Sequence, residues 1–503
     1  MNSFSNDLKE FADTRSGDVA LIESRNAQQW TWRELDRLVD LTGGWLRANN
    51  ILAGQSIVAA LPNAVETFVL FLACIRFGNL MAPVAPQSTP RELHHWLDMV
   101  RPSALVIEAG KKFEISSSVN LLQVQIDARF DWCRNCNSNL AVESSGFLCI
   151  PTSGTTGTPK PLVHEGEHLW ESGKRFIDFH SEAIGGRYLN NLPMSYLGGM
   201  FNLGLLPLSS GGSTVITNEF SGKSFFNYWR DIERFQIDVL WLVPTIIRGL
   251  LAVADRTPEA DRIALSEKVR FGFLGTAPID LETKRRFENT FKIRLLENFG
   301  LSETTFVTSE RHGDDQGRSE GSVGAKLPYT DLELRAVFNE ENSSEEVLEV
   351  YARTPFMAKG YLQPDGTILD PRDKDGYLAT GDIGSWDDAG NLVLTGRSRD
   401  VIKKGGLLVS LREIEIVAEG HPSIVEAAAV PVSHDFYGES AVLFVLLQDP
   451  KAECKENILE DIESYLAANL SRHKLPESVA ELPELPKTSS GKIRKSELAK
   501  EFL

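Results

Sequence analysis

Through roughly the first 300 residues, short apolar runs alternate with longer stretches of helical periodicity, the pattern of strands and amphipathic helices laid down in layers. Gly146 to Ile150, Ile237 to Val243 and Val269 to Leu274 read as buried strands, and a helix is predicted to open near Pro244–Thr245. From about residue 320 the texture changes. Val347 to Ala352, Gly376 to Leu378 and Asn391 to Leu394 are short strand candidates between Asp/Gly turns, which suits a small β unit. Beyond Arg397 the pattern predicts a strand (Asp400 to Lys404), a helix (Leu411 to Glu419), two strands (Val425 to Val432 and Ala441 to Leu447) and a helix (Ile458 to Leu470). The expected fold is α/β: a large multi-layer N-terminal domain with a small β subdomain, then a small α+β C-terminal domain. No internal repeat or long low-complexity segment interrupts it.

Length and composition set limits on this picture. A chain of 503 residues exceeds what one hydrophobic core fills, so at least two domains are expected. The formal charge of −18, from 52 basic and 70 acidic residues, argues against a nucleic-acid partner. It leaves room for a small anionic ligand, which a few N–H groups and lysines can hold. The densest apolar run, Phe68 to Ile75, is too short to span a bilayer and is stopped by Arg76. The chain opens on Asn, Asp, Lys and Glu rather than on a signal peptide, so a cytoplasmic protein is the expectation. Five cysteines, an odd count, make no disulfide framework. Cys133 and Cys136 form a lone C-x-x-C for which metal and redox roles stay open beside the favoured reading of chance spacing; Cys74 and Cys149 read as core fillers.

The most informative stretch is Thr152-Ser153-Gly154-Thr155-Thr156-Gly157-Thr158-Pro159-Lys160, directly after an apolar strand. Glycines permit close backbone approach, hydroxyls donate hydrogen bonds and the lysine adds positive charge, which together suit a loop wrapped around phosphate oxygens. A polar surface loop is the plain alternative. A kinase-like P-loop is another, but its G-x-x-x-x-G-K-[ST] spacing fails here.

Further motifs follow in order: Leu274-Gly275-Thr276-Ala277-Pro278, Asn298-Phe299-Gly300-Leu301-Ser302-Glu303, Ala379-Thr380-Gly381-Asp382, Thr395-Gly396-Arg397, Lys403-Lys404-Gly405-Gly406 and Pro486-Lys487-Thr488-Ser489-Ser490-Gly491-Lys492. With the loop, this ordered set resembles the adenylate-forming superfamily of acyl-CoA synthetases, carrier-protein-loading adenylation domains and beetle luciferases. The resemblance spans essentially the whole chain.

It implies binding of ATP by Thr152, Ser153, Gly154, Thr155, Thr156, Lys160, Gly275, Thr276, Ala277, Pro278, Asn298, Phe299, Gly300, Ser302, Asp382 and Arg397. Within that set Phe299 would take the adenine position, usually Tyr, in what reads as an aromatic-glycine turn ahead of Glu303. Asp382, read as lying in a tight Thr-Gly-Asp turn, would accept hydrogen bonds from both ribose hydroxyls, a task for which a carboxylate is apt. Arg397 is a second ribose contact. Glu303 helps hold Mg²⁺, which bridges phosphate oxygens; taken alone it would read as a helix-start acid. Lys492 reaches the α-phosphate and the acyl carboxylate and is the first choice of catalytic side chain. The resemblance also implies a hinge, here at Arg399, between residues 1–397 and a mobile lid of residues 400–503. Lys403 and the Gly405-Gly406 pair then match the segment that enters the site for thiol transfer, lining a tunnel for a pantetheine arm.

The departures are also informative. Tyr196, in Pro193-Met194-Ser195-Tyr196, stands where many members have His, and lacks a near-neutral pKa. No aspartate suited to an α-amino group is evident there, which disfavours an α-amino acid substrate. Pro161 replaces a glycine after the loop lysine and should stiffen that end; Leu411 replaces a proline and looks structurally harmless. The acyl pocket is expected from Tyr196, Gly198, Gly199, Met200, Phe201, Leu274, Gly275 and residues after Phe299, which suits an uncharged acyl or aryl group, with core packing an equal reading of Met200 and Phe201. The expected activity is ATP-dependent ligation of a carboxylic acid to a thiol, that of coenzyme A. The alternatives are the phosphopantetheine of an acyl carrier protein as acceptor, or a non-catalytic acyl or nucleotide binder.

Overall fold

The computed structural model describes residues 3–112, 121–127, 130–138, 140, 145–152, 160–254, 264, 266–275, 279–313, 318–336, 347–404, 407–434, 437–449, 455–487 and 493–502. The expected layers are built on a sheet of eight strands. Their spatial order is Ile368–Leu369, Gly360–Leu362, Lys160–Glu165, Phe147–Thr152, Leu80–Val84, Ser56–Ala60, Ala104–Glu108 and Leu122–Ile126. Ser56–Ala60 and Leu80–Val84 pair in parallel and are covered on both faces, which is why they read as continuous apolar runs rather than alternating ones. The helix joining them, Val65–Phe77, contains the dense Phe68 to Ile75 run and is buried at every position. A helix apolar all round belongs in an interior. Gly78 caps it at φ 74°, the left-handed conformation that glycine adopts at least cost.

A second sheet carries Val239–Leu242, Phe271–Leu274 and Leu295–Leu301 in parallel, followed by the antiparallel Thr305–Ser309 and Ala325–Lys326. The parallel order sends the C-terminal ends of three strands to one edge, where open α/β sheets collect ligand-binding loops. The small β unit is an antiparallel sheet of Asp331–Ala336, Leu348–Arg353, Leu378–Trp386 and Leu392–Arg397. From Val401 onward a further sheet packs the helices Leu411–Glu419 and Lys455–Asn469 around a cluster of its own, including Ile402, Leu411, Ile414, Leu443 and Ile462. Across the Arg397 step, the Ser410 hydroxyl donates to the Thr395 carbonyl at 3.4 Å; within the C-terminal unit the Lys495 ammonium lies 3.2 Å from Asp400 and 2.8 Å from Glu415. Among the described residues no helix is long and apolar enough to cross a membrane.

Several local readings need correction. Asn298-Phe299-Gly300 is not a turn but part of the strand Leu295–Leu301, with a register shift between Phe299 and Gly300. No helix begins at Glu303; residues 302–304 form a turn between two strands. Thr380-Gly381-Asp382 also lies inside a strand, Leu378–Trp386, which starts where the shorter Gly376 to Leu378 candidate ends. Glycine with φ 74° at position 381 imitates a turn in the sequence while the ladder continues around it. The pair Gly360–Leu362 and Ile368–Leu369 joins the large sheet rather than the small β unit, because Tyr361 pairs with Leu162. The strands Leu407–Ser410 and Ser478–Glu481 and the helix Lys495–Phe502 are additions to the expected C-terminal pattern.

Candidate active site

The two strands flanking the polar loop are antiparallel neighbours, with Thr152 paired to Lys160. The Thr152 hydroxyl donates to the Lys160 carbonyl at 3.2 Å, so the loop's first hydroxyl and its lysine are held side by side. Ser153, Gly154, Thr155 and Thr156 lie outside the described residues, as do Thr276, Ala277, Pro278, Gly405, Gly406 and Lys492.

Lys160 directs its ammonium at the face of Tyr361, 5.7 Å from the ring centroid. The Tyr361 hydroxyl in turn donates a short hydrogen bond to Glu303 Oε1. Burial, and then the adjacent Glu303 carboxylate, push the Tyr361 phenol well above its ordinary range, so it is a donor at neutral pH. The Ala358 amide donates to the Glu303 carbonyl at 2.8 Å and the Lys359 amide to the Val163 carbonyl at 2.8 Å, which ties the 302–304 turn to the edge of the large sheet. Beneath this turn His164 is fully buried beside Ser302; burial lowers its pKa to about 4 and keeps the ring neutral.

On the second sheet, the Asn298 side-chain amide donates to the Leu274 carbonyl at 2.9 Å. A Cβ on Gly275 would stand 2.6 Å from Asn298 Oδ1, so glycine is what lets that amide clamp the neighbouring strand end. Phe299 packs with Val307, Val350 and Leu392, linking this strand to the small β unit. A Cβ on Gly300 would fall 1.9 Å from the Thr305 carbonyl oxygen. The strand continues there only with glycine.

Asp382 and Arg397 are register partners on adjacent strands, and Arg397 Nε sits 2.7 Å from Asp382 Oδ1. Asp382 is 5% exposed, a buried carboxylate held by a guanidinium. The preceding Gly381 amide donates to Glu349 Oε1 at 2.8 Å and the Thr380 hydroxyl to the Val350 carbonyl at 2.7 Å, so the two residues leading into Asp382 are fixed.

Residues 198–205 form a helix with i→i+5 hydrogen bonds, an uncommon form that recurs at functional sites. The Asn190 amide donates to the Gly199 carbonyl at 2.8 Å, and a Cβ on Gly199 would lie 2.4 Å from the Pro193 carbonyl oxygen. Met200 and Phe201 are buried in the main core, while Tyr196 is exposed. Arg399 falls in the single turn Ser398–Asp400 and Lys403 on the strand Val401–Lys404. Cys74 and Cys149 are fully buried, as core fillers should be. Cys133 and Cys136 are free thiols, the first pushed up to about 11 by burial. Among the described residues no group of His, Cys, Asp or Glu gathers to hold a metal by itself.

Glu303 fits magnesium: a half-buried carboxylate offers a hard oxygen, and one such group suffices for an ion bound mainly through phosphates and water. Asp382 and Arg397 likewise fit a ribose, a paired acceptor and donor on adjacent strands. Sequence reasoning did not select Tyr361, Glu349 or His164. Only the aromatic-glycine pair Gly360-Tyr361 left a trace, too common a pair to be a signal.

A layered α/β domain, a small β unit carrying the Asp–Arg pair and an α+β C-terminal unit make up the architecture of an adenylate-forming enzyme. The chain belongs to the AMP-binding enzyme family: that family's model matches residues 8–362, and the model of the AMP-binding enzyme C-terminal domain matches residues 413–492. The resemblance read from the motifs and the expected fold class both hold. The chain is 28% identical over 464 residues to a sulfoacetate–CoA ligase of Cupriavidus necator, covering 89% of this chain and 87% of the relative. To an indoleacetate–CoA ligase of Aromatoleum aromaticum it is 28% identical over 521 residues, covering 98% and 97%. The crystal structure of ATP-bound MatB from Rhodopseudomonas palustris superposes with a TM-score of 0.87 at 23% identity, covering 100% of this chain and 99% of that one.

Proposed function

We propose that this chain is an AMP-forming carboxylic acid–coenzyme A ligase. A carboxylate oxygen attacks the α-phosphorus of ATP, the bond to the departing pyrophosphate breaks, and acyl-AMP forms. The thiol sulfur of coenzyme A then attacks the acyl carbonyl, its proton is lost, and AMP leaves.

The observation that carries this reading is the linkage of Lys160 to Glu303 through one side chain, with a separate buried Asp382–Arg397 pair at the family's ribose position. Two anions must be brought together in the first step, so the protein has to supply positive charge where charge accumulates. In this reading Lys160 and the loop residues 152–156 meet the phosphates, Asp382 and Arg397 hold the ribose, and Phe299 lies against adenine. Lys492 offsets charge on the α-phosphate. Glu303 would hold a magnesium ion, whose charge would offset that of the phosphates. Residues 400–503 act as the lid, turning at Arg399 to bring Lys403 toward the thiol. The acid pocket is assigned to Tyr196, Gly198, Gly199 and Met200. Both curated relatives above are coenzyme A ligases, which favours that acceptor over a carrier protein. Their acids differ too widely to name one here.

The test is acid-dependent exchange of pyrophosphate into ATP over short, long-chain, aromatic, dicarboxylic and sulfonated acids, with Lys492→Ala as control. Exchange with one acid class that is lost in the variant is the expected result. Thioester formation with coenzyme A, and not with a carrier protein, then assigns the acceptor. Exchange unaffected by Lys492→Ala would remove that residue from the mechanism.

A further inference from the structure

Three segments far apart in sequence meet at Tyr361. Its strand, Gly360–Leu362, pairs with Lys160–Glu165, so Tyr361 sits opposite Leu162. Its hydroxyl donates to Glu303 Oε1, and Thr152 lies against the same hydroxyl. Its ring face receives the Lys160 ammonium at 5.7 Å. Lys160 and Glu303 thus approach the same side chain from its face and its tip, and no ion pair joins them.

A flexible lysine and a glutamate that both reach one side chain can pair with each other, each satisfying the other. For a site built to receive a polyanion and a cation that pairing is counterproductive: phosphate would have to displace the glutamate, and the metal would have to displace the lysine. The ring offers Lys160 a weaker and readily surrendered partner. The hydroxyl occupies one oxygen of Glu303 and leaves the other to a metal ion. A structural tyrosine would need only a satisfied hydroxyl, which a backbone carbonyl could provide as well.

We propose that Tyr361 is a positioning residue that keeps Lys160 and Glu303 apart and fixes Glu303 in a one-oxygen binding mode for the divalent cation that accompanies the nucleotide. This rests on the ligase reading above. Tyr361→Phe keeps the ring between the two charges and removes only the hydrogen bond; Tyr361→Leu removes both.

Binding of Mn²⁺ in the presence of α,β-methylene-ATP, followed by electron paramagnetic resonance, reads the metal site without turnover. A hydrogen bond to a charged group is worth about tenfold or more in affinity. Tyr361→Phe is therefore expected to weaken Mn²⁺ binding about tenfold, and Tyr361→Leu further, with the melting temperature used to show that both variants fold. In a Glu303→Gln background Tyr361→Phe should change Mn²⁺ affinity less than twofold, since the carboxylate it steers is gone. Equal Mn²⁺ affinity in the wild type and Tyr361→Phe would overturn the role of Tyr361 alone. Absence of Mn²⁺–nucleotide binding in the wild-type chain would overturn the ligase reading and this inference with it.

Discussion

Lys284 offers a quantitative test of how the strand bearing Asn298 and Phe299 is held. It projects from the helix Leu281–Phe291, is 3% exposed, and places its ammonium 3.1 Å from Glu297 and 2.8 Å from Glu310. Glu310 also takes Arg318 Nε at 3.2 Å and the Glu297 amide at 2.8 Å. Lys284→Met keeps the apolar stem and deletes the charge. Glu310 retains two donors, whereas Glu297 loses the ammonium bonded to it. Breaking a buried pair by removing one partner costs about 3–5 kcal/mol. With Arg318 still in place the lower figure applies, about 3 kcal/mol. At roughly 2 °C per kcal/mol for a large domain, the melting temperature should fall by about 6 °C.

The loss should also depend on pH. Burial raises the Glu297 pKa even with Lys284 beside it, and deleting the ammonium raises it further. A carboxyl whose pKa is higher in the folded than in the unfolded chain stabilises the fold at low pH, and that contribution is lost as pH rises through the folded value. The deficit of Lys284→Met should therefore be larger at pH 8 than at pH 5.5, measured by urea unfolding at both. Lys284→Met with Glu297→Gln should recover most of the deficit at pH 8. A loss under about 1 kcal/mol that is the same at both pH values would refute the account.

Gly275→Ala should force Asn298 off the Leu274 carbonyl, because the new Cβ would stand 2.6 Å from Oδ1. The expected result is a severalfold rise in the KM for ATP with a melting temperature lowered by only a few degrees, read from exchange kinetics and calorimetry. His164 and His180 predict a second pH effect: burial lowers them to about 4 and about 3, with Arg311 and His312 adding to the shift at His180 and His168 at His164. Both are neutral in the fold and take up protons when it opens, so stability should fall as pH drops from about 6.5 toward 4, by up to about 1.4 kcal/mol per pH unit for each. His164→Leu should roughly halve that slope in urea midpoints taken at pH 7, 6 and 5; an unchanged slope would count against the buried neutral ring.

What the chain revealed in advance was what local periodicity and motif order encode. The helix Leu411–Glu419 was legible to the residue, because Ser410 caps it and its apolar positions recur at helical spacing. The strands Phe147–Thr152 and Val239–Leu242 were legible as apolar runs. Thr380-Gly381-Asp382 reads as a turn because glycine usually marks one, whereas pairing with Leu348–Arg353 on both sides of Gly381, through a register shift between Glu349 and Tyr351, keeps it within one strand. Tyr361 was invisible for a related reason: its importance comes from a pairing between residues 160–165 and 360–362, and separations of that size leave no local signal. Lys284 sits in Lys284-Arg285-Arg286, which reads as a solvated basic face. Only the carboxylates on neighbouring strands make its first member a buried cation.

The pairing of Thr152 with Lys160 has a consequence for how this site can vary. Thr152 and Lys160, the residues that bound 153–159, are neighbours in one sheet, so they stand like the two feet of a handle. The entropy of bringing those feet together is met by the strands, and lengthening the handle adds only slowly to it, about 0.6 kcal/mol per doubling. Insertions or exchanges between them can thus change length and side chains while Thr152, Lys160 and the Tyr361–Glu303 contact stay where the sheet puts them.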